Sequence, residues 1–204
     1  MENEKPLGRR KIQGQETKAR IYEAASILIR EEGFDAVTVD RICARARVAK
    51  GSFYHHFRSK ADIIVEGYSL CDRYFDEEVA GKLSAPDAAG RVVEFIGRQM
   101  QYAVDTGIDL MIQTYKSQLE NGTKFFISAE RSLPSILNAL IAEGQASGEF
   151  RADLSADYLT EYILRFSRGM IYDWCLRSGG YDLVAVGEEA CARLMGIFRA
   201  GASS

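Results

Sequence analysis

The 204-residue sequence predicts an all-α protein, a small three-helix head at the N-terminus joined to a larger helical body. Three observations carry this. Apolar residues recur at three- and four-residue intervals, the spacing that gives a helix one buried face. Turn-forming residues interrupt the pattern at 84–86, 106–107, 121–122, 132–134, 148 and 179–180, leaving segments of helical length. No segment alternates polar and apolar residues like a strand, and there is no internal repeat or low-complexity tract.

Residues 1–15 contain Pro6, Gly8 and Gly14 and no apolar periodicity, so a flexible basic arm is expected there. Its Arg9, Arg10 and Lys11 either meet phosphates or an adjacent groove or stay solvated in a disordered tail. A first helix is predicted over 17–32, with Ile21, Ala24, Ala25, Leu28 and Ile29 as its buried stripe. Gly33 ends it, and Phe34 turns back on the core. Thr38 is an N-cap for a second helix starting at Val39, whose apolar face is Val39, Ile42, Cys43 and Ala46. A tight turn follows at Arg47, Val48 and Ala49. The third helix, 50–57, has Phe53 and Phe57 on one face. That leaves Lys50, Ser52, Tyr54, His55 and His56 to point elsewhere, and Gly51 has no side chain to hold a phosphate away.

A helix, a tight turn and a short helix loaded with donors is the layout of a helix-turn-helix, whose second helix enters the major groove of DNA. Phenol, hydroxyl and ammonium groups on that helix are donors to phosphates and base edges. Over 17–64 the chain resembles the tetracycline-repressor (TetR) family of bacterial transcriptional regulators. The resemblance rests on Ala24–Ala25, Gly33–Phe34, Thr38–Val39, Ile42, Ala46, Val48, Lys50–Gly51, Phe53–Tyr54, His56–Phe57 and Ser59–Lys60. It implies DNA contacts from Thr38, Lys50, Gly51, Ser52, Tyr54, His55, His56 and Lys60. His55 occupies a variable position suited to reading a base edge, and His56 one suited to a phosphate or the head's own backbone. Three departures affect the turn. Arg47 stands where the family usually has Gly, at a cost of about 1 kcal/mol if φ is positive there. Ala49 replaces a capping Ser or Thr, and Cys43 replaces a common Ala.

Ser59 reads as the cap of a fourth helix, 60–82, whose apolar side includes Ile63, Ile64, Tyr68 and Phe75. Lys60 falls in its first turn, near the recognition helix. Five more helices are predicted over 87–105, 108–119, 134–147, 155–178 and 184–200. The expected domains are thus an arm at 1–15, a helix-turn-helix DNA-binding domain at 16–60, and a ligand-binding and dimerisation domain at 61–204. By resemblance, the last two helices pair with those of a second copy, through Ala190, Leu194, Ile197 and Phe198 of the last one. A two-fold homodimer calls for a near-palindromic operator in double-stranded DNA. The family's bodies also hold a ligand pocket. Tyr68, Phe95, Tyr115, Tyr162 and Phe166 are its expected lining. Few basic residues lie between Ile108 and Leu140, so a small apolar or aromatic effector is favoured over a polyanion.

Bulk properties agree. Hydrophobic content is 47% and charged content 27%, ordinary for a globular chain. Residues 1–60 carry a net charge of +5 and residues 61–204 a net of −8, a basic head on an acidic body. No apolar run reaches membrane-spanning length and no signal region opens the chain, so a cytoplasmic protein is expected. Cys43, Cys71, Cys175 and Cys191 lie far apart in sequence, which disfavours a zinc site and fits reduced thiols in helix cores. No nucleophile, phosphate-cradle or metalloprotease motif is present and both histidines lie in the recognition helix. Neither an enzyme nor a cofactor is therefore expected. The reading is a ligand-responsive regulator, in its simplest form a repressor released by a small molecule. The alternative is an adaptor of the same family, whose body binds a protein and whose head no longer reads an operator.

Overall fold

A computed structural model describes residues 8–120, 125–128 and 131–201. Its contacts divide the chain into two units, Met1–Gly67 and Tyr68–Ser204. The division falls seven residues beyond the expected end of the head, inside a helix.

In the first unit, α1 spans Arg9–Glu32. It begins eight residues before the expected start at residue 17, so the expected arm is helical from Arg9 onward; residues 1–7 lie outside the described residues. The reason is cooperativity. The buried half of α1 supplies the nucleus, and Lys, Gln and Glu residues then extend it without a second nucleation cost. Gly14 is carried along, with the Thr17 hydroxyl donating to the Gln13 carbonyl at 2.8 Å. Ile21, Ala24, Ala25, Leu28 and Ile29 are all buried. Gly33 ends the helix at φ 83°.

Helix α2, Val39–Ala46, is capped by Thr38, whose hydroxyl oxygen accepts from the Arg41 N–H at 3.4 Å. Ile42, Cys43 and Ala46 face inward. Arg47 closes it in the left-handed region at φ 54°, ψ 48°. Helix α3, Lys50–His56, has no side-chain cap at Ala49 and buries Phe53. Phe57 follows, buried and extended. Helix α4 spans Asp62–Tyr74. It starts two residues later than expected, because Asp62 accepts the Arg58 N–H at 2.7 Å and so caps the preceding turn. It also does not continue unbroken to residue 82. A π-helical turn, Phe75–Val79, replaces its last stretch and buries both end residues completely.

In the second unit, α5 (Ala88–Thr106), α6 (Ile108–Glu120), α7 (Ser132–Ala146), α8 (Ala156–Leu176) and α9 (Leu183–Phe198) surround one core. A 3-10 turn, Phe125–Ile127, lies between α6 and α7. Asp87, Ser155 and Asp182 cap α5, α8 and α9. Phe75, Phe95, Met100, Leu137 and Ile141 are among the core's most deeply buried side chains. Helices α5 and α9 approach closely at two glycines. A Cβ at Gly97 would collide with Glu188, and one at Gly187 would lie 2.8 Å from Met100. An isolated antiparallel bridge joins Phe150 to Arg199, where the Arg151 N–H donates to the Phe198 carbonyl at 2.8 Å. No described helix is long and apolar enough to cross a membrane.

Candidate DNA-reading surface and effector site

The recognition helix α3 is short, so its two faces are cleanly separated. Phe53 and Phe57 anchor it, their rings 5.7 Å apart, while Lys50, Gly51, Tyr54 and His55 are exposed and Ser52 and His56 half-buried. Tyr54 is 51% exposed, and its ring meets that of Phe53 at 85° with centroids 5.4 Å apart. A Cβ at Gly51 meets nothing within 4 Å, so nothing in the free fold requires glycine there. Thr38 spends an oxygen lone pair on capping α2 but keeps its hydroxyl proton for a further acceptor.

Acidic residues hold several of the head's cations. Lys50 Nζ lies 2.7 Å from Asp40 Oδ1, a hydrogen bond that raises the lysine's pKa. Arg41 pairs with Glu32, Arg45 with Glu31 and Lys18 with Glu66. The His55 and His56 rings meet edge-to-face at 4.9 Å. Partial burial lowers the pKa of His56, with help from the charges of His55 and Lys18. Lys60 has a role that its position in the sequence did not reveal. It precedes α4, and its ammonium donates to the carbonyls of Phe34 and Val37 and sits 4.1 Å from the Phe34 ring centroid. It ties down the loop between α1 and α2, so a phosphate would have to compete with those carbonyls for it.

In the body, Tyr68 and Tyr115 are brought to one aromatic cluster. Tyr68 is buried and stacks on Phe125 at 4.1 Å, and Tyr115 meets Phe126 edge-on at 5.2 Å. A polar network threads the cluster. The Gln118 amide donates to the Tyr68 hydroxyl at 2.6 Å and accepts the Phe126 N–H at 2.8 Å; Ser117 also bonds Tyr68. Tyr115 donates to the Arg168 carbonyl at 2.6 Å, and burial pushes its phenol pKa up. Arg131 covers Phe125 at 3.8 Å and pairs with Asp72 at 3.0 Å. Gln118, Arg131 and Asp72 carried no sequence signal, because a buried polar side chain on a helix looks like an exposed one until its neighbours are known.

The other expected lining residues are elsewhere. Phe95 is fully buried against Phe75 at 5.0 Å, as core. Phe166 is half-buried beside the core. Tyr162 is 42% exposed and meets Phe198 edge-on at 5.5 Å, so it belongs to the outer face of α8 and not to the body's interior. Spacing placed it mid-helix correctly but could not say which side of α8 faced inward.

Of the expected pairing face on α9, Ala190 and Leu194 are half-buried and Ile197 is 57% exposed. Phe198 is different: it is 5% exposed, and continues the inward line of Leu183, Gly187, Cys191 and Met195. One residue along a helix is a rotation of about 100°, which separates it from Ile197. On α8, Tyr158, Tyr162, Arg165, Gly169, Tyr172 and Leu176 are exposed at alternating four- and three-residue intervals, a single stripe.

Comparison with known proteins agrees with this arrangement. Residues 21–66 match the family model for bacterial regulatory proteins of the tetR family. The chain is 24% identical over 180 residues to the fatty acid metabolism regulator protein of Bacillus subtilis, covering 86% of this chain and 92% of that one. Its fold is similar to that of the fatty acid degradation regulator FadR from Bacillus halodurans, with a TM-score of 0.70, 20% identity, and 95% and 96% of the two chains covered. It is also similar to Thermus thermophilus FadR, a TetR-family transcriptional repressor solved with lauroyl-CoA, with a TM-score of 0.65, 21% identity, and 87% and 92% covered. A three-helix head with an exposed donor helix, and a family model that matches over that head, identify residues 21–66 as a DNA-binding head of the type found in bacterial regulatory proteins of the tetR family.

Proposed function

We propose that this chain is a DNA-binding transcriptional repressor that reads a palindromic operator as a homodimer and leaves it when a small molecule binds the body. The observation that carries the reading is the exposed donor row Lys50, Tyr54 and His55 on a helix held by buried Phe53 and Phe57. An anchored helix that presents donors outward is what a major groove accepts. With no membrane-spanning helix among the described residues, a cytoplasmic protein acting on its own operator is the simplest setting.

The exposed stripe on α8 and the outward residues of α9 are the proposed pairing surface, with Gly169 and Ala190 as its small residues. Tyr68, Tyr115, Phe125 and Phe126 are the proposed effector walls, with Gln118 and Ser117 supplying direction. Aromatic walls and a neutral polar network suit a small apolar or aromatic molecule. Thermus thermophilus FadR holds an acyl-CoA, which supports a long apolar ligand as one version of this class. Release follows from linkage. An effector that favours a body state incompatible with DNA by a hundredfold, about 2.7 kcal/mol, lowers operator affinity by up to that factor.

The test is a selection of bound genomic fragments by the purified protein at moderate salt, followed by titration of the recovered site with apolar candidates. A two-fold symmetric site weakened by one candidate supports the proposal. A folded dimer that enriches no sequence, with or without candidates, refutes it and favours the adaptor reading.

A further inference from the structure

The turn between α2 and α3 contains an arginine where backbone sterics favour glycine. Arg47 has φ 54° and ψ 48°; the only other described non-glycine residue at positive φ is Ser178. For an L-residue this conformation is strained, because Cβ crowds the backbone. No contact among the described residues compensates. Arg47 is exposed, and its guanidinium has no hydrogen-bond, carboxylate or ring partner among the described residues. It differs in this from Arg41, Arg45 and Lys50, each held by a carboxylate.

Arg47 also lines a concave surface. A shallow cleft of about 330 Å³ has Ala24, Ile27 and Ala46 in its lining together with Arg20, Arg45 and Arg47, against one acid, Glu23. With Arg45 balanced by Glu31 at its edge, the cleft keeps a net charge of +1 from Arg20 and Arg47 against Glu23; it is part of the head and adjoins a turn that leads after two residues into the recognition helix. An uncommitted guanidinium held in a strained conformation, beside two others, is a site for an anion, and arginine's planar fork matches a phosphate.

We infer that Arg47, flanked by Arg20 and Arg45, clamps a phosphate of the operator backbone next to the base pairs that α3 reads. This rests on the operator-binding reading above and adds to it a contact from a position outside the recognition helix. The strain is retained because the left-handed conformation aims a cation that glycine could not supply. The clamp positions the head on the duplex and carries no base preference of its own.

The experiment measures operator affinity by fluorescence anisotropy over a salt series, with thermal unfolding alongside, for the full chain and three variants. Arg47→Gly removes both strain and charge. Arg47→Gln removes charge and keeps the strain. Lys50→Ala reports on the recognition helix. The expected result is a raised thermal midpoint for Arg47→Gly alone. Both Arg47 variants should lose about tenfold in operator affinity, with the salt slope reduced by about one, the signature of a lost phosphate contact. Unchanged affinity and slope in both, with Lys50→Ala still abolishing binding, overturns the clamp and leaves the DNA-binding reading intact. A loss in Arg47→Gly only places the effect in the backbone and also overturns the clamp. If Lys50→Ala binds as the parent does, the operator-binding reading fails and the clamp with it.

Discussion

The ammonium of Lys60 donates to the Val37 carbonyl at 2.9 Å, joining the turn before α4 to the loop before α2. A residue expected to face DNA therefore holds the head together. Lys60→Met keeps the stem and removes the donor, leaving the carbonyls of half-buried Phe34 and buried Val37 without it. We expect a loss of about 1–3 kcal/mol in urea unfolding of the head. Operator affinity should fall little once the protein is folded. A variant as stable as the parent would contradict this role.

Gly51 should separate stability from function. A Cβ there meets nothing in the free protein and the position is helical, so Gly51→Ala should stabilise by up to about 1 kcal/mol. The added methyl would nonetheless stand between the backbone and a phosphate. Operator affinity is expected to drop several-fold while the thermal midpoint holds or rises. If affinity is unchanged, the backbone does not approach DNA at that point.

Tyr68 is the hub of the body's polar network. Tyr68→Phe keeps the stack on Phe125 but leaves the Gln118 amide without its hydroxyl acceptor. A buried donor without a partner costs about 1–3 kcal/mol. We expect that loss in unfolding experiments, together with altered affinity for any effector that displaces the operator. Parental effector affinity and stability in this variant would remove Tyr68 from the proposed site.

Neighbouring residues on α9 should behave oppositely. Ile197→Glu alters an exposed position and should turn a dimer into a folded monomer, seen as a halved mass in sedimentation with unchanged helix content. Phe198→Ala opens the core and should cost about 3–5 kcal/mol of stability. A dimer that survives Ile197→Glu would exclude this part of α9 from the pairing surface.

Burial pushes the thiol pKa values of Cys71 and Cys175 up to about 11 and that of Cys191 to about 12, from a reference of 9.0. In each, the folded state holds its proton after the unfolded state has lost it. The stability so contributed is fully present below pH 9.0 and is lost as pH rises towards 11 and 12. Urea unfolding across that range should show falling stability, and Cys191→Ala should flatten the fall. A parent equally stable at both ends of the range would refute it.

Most helices were legible because periodicity and punctuation are local. Thr38 as cap, Gly33 as stop and Phe53–Phe57 as anchor needed only the sequence within one turn on either side. The donors of α3 were legible for the same reason, since a seven-residue helix with two anchoring phenylalanines has one way to face. Local patterning misled where cooperativity or a distant partner intervened. The N-terminal extension of α1 lacks an apolar stripe, and its helical state comes from propagation.

By itself, then, the sequence determined an all-helical chain with a donor-bearing helix-turn-helix, because those features depend on neighbours a few residues away. Only the tertiary structure decided which side of α8 turns Tyr162 outward, that Phe198 points into the core, that Lys60 ties a loop, and that Gln118 joins Tyr68 to Phe126. Each of these depends on residues far apart along the chain, whose meeting is set by how whole helices pack, and helical periodicity leaves that rotation and pairing open.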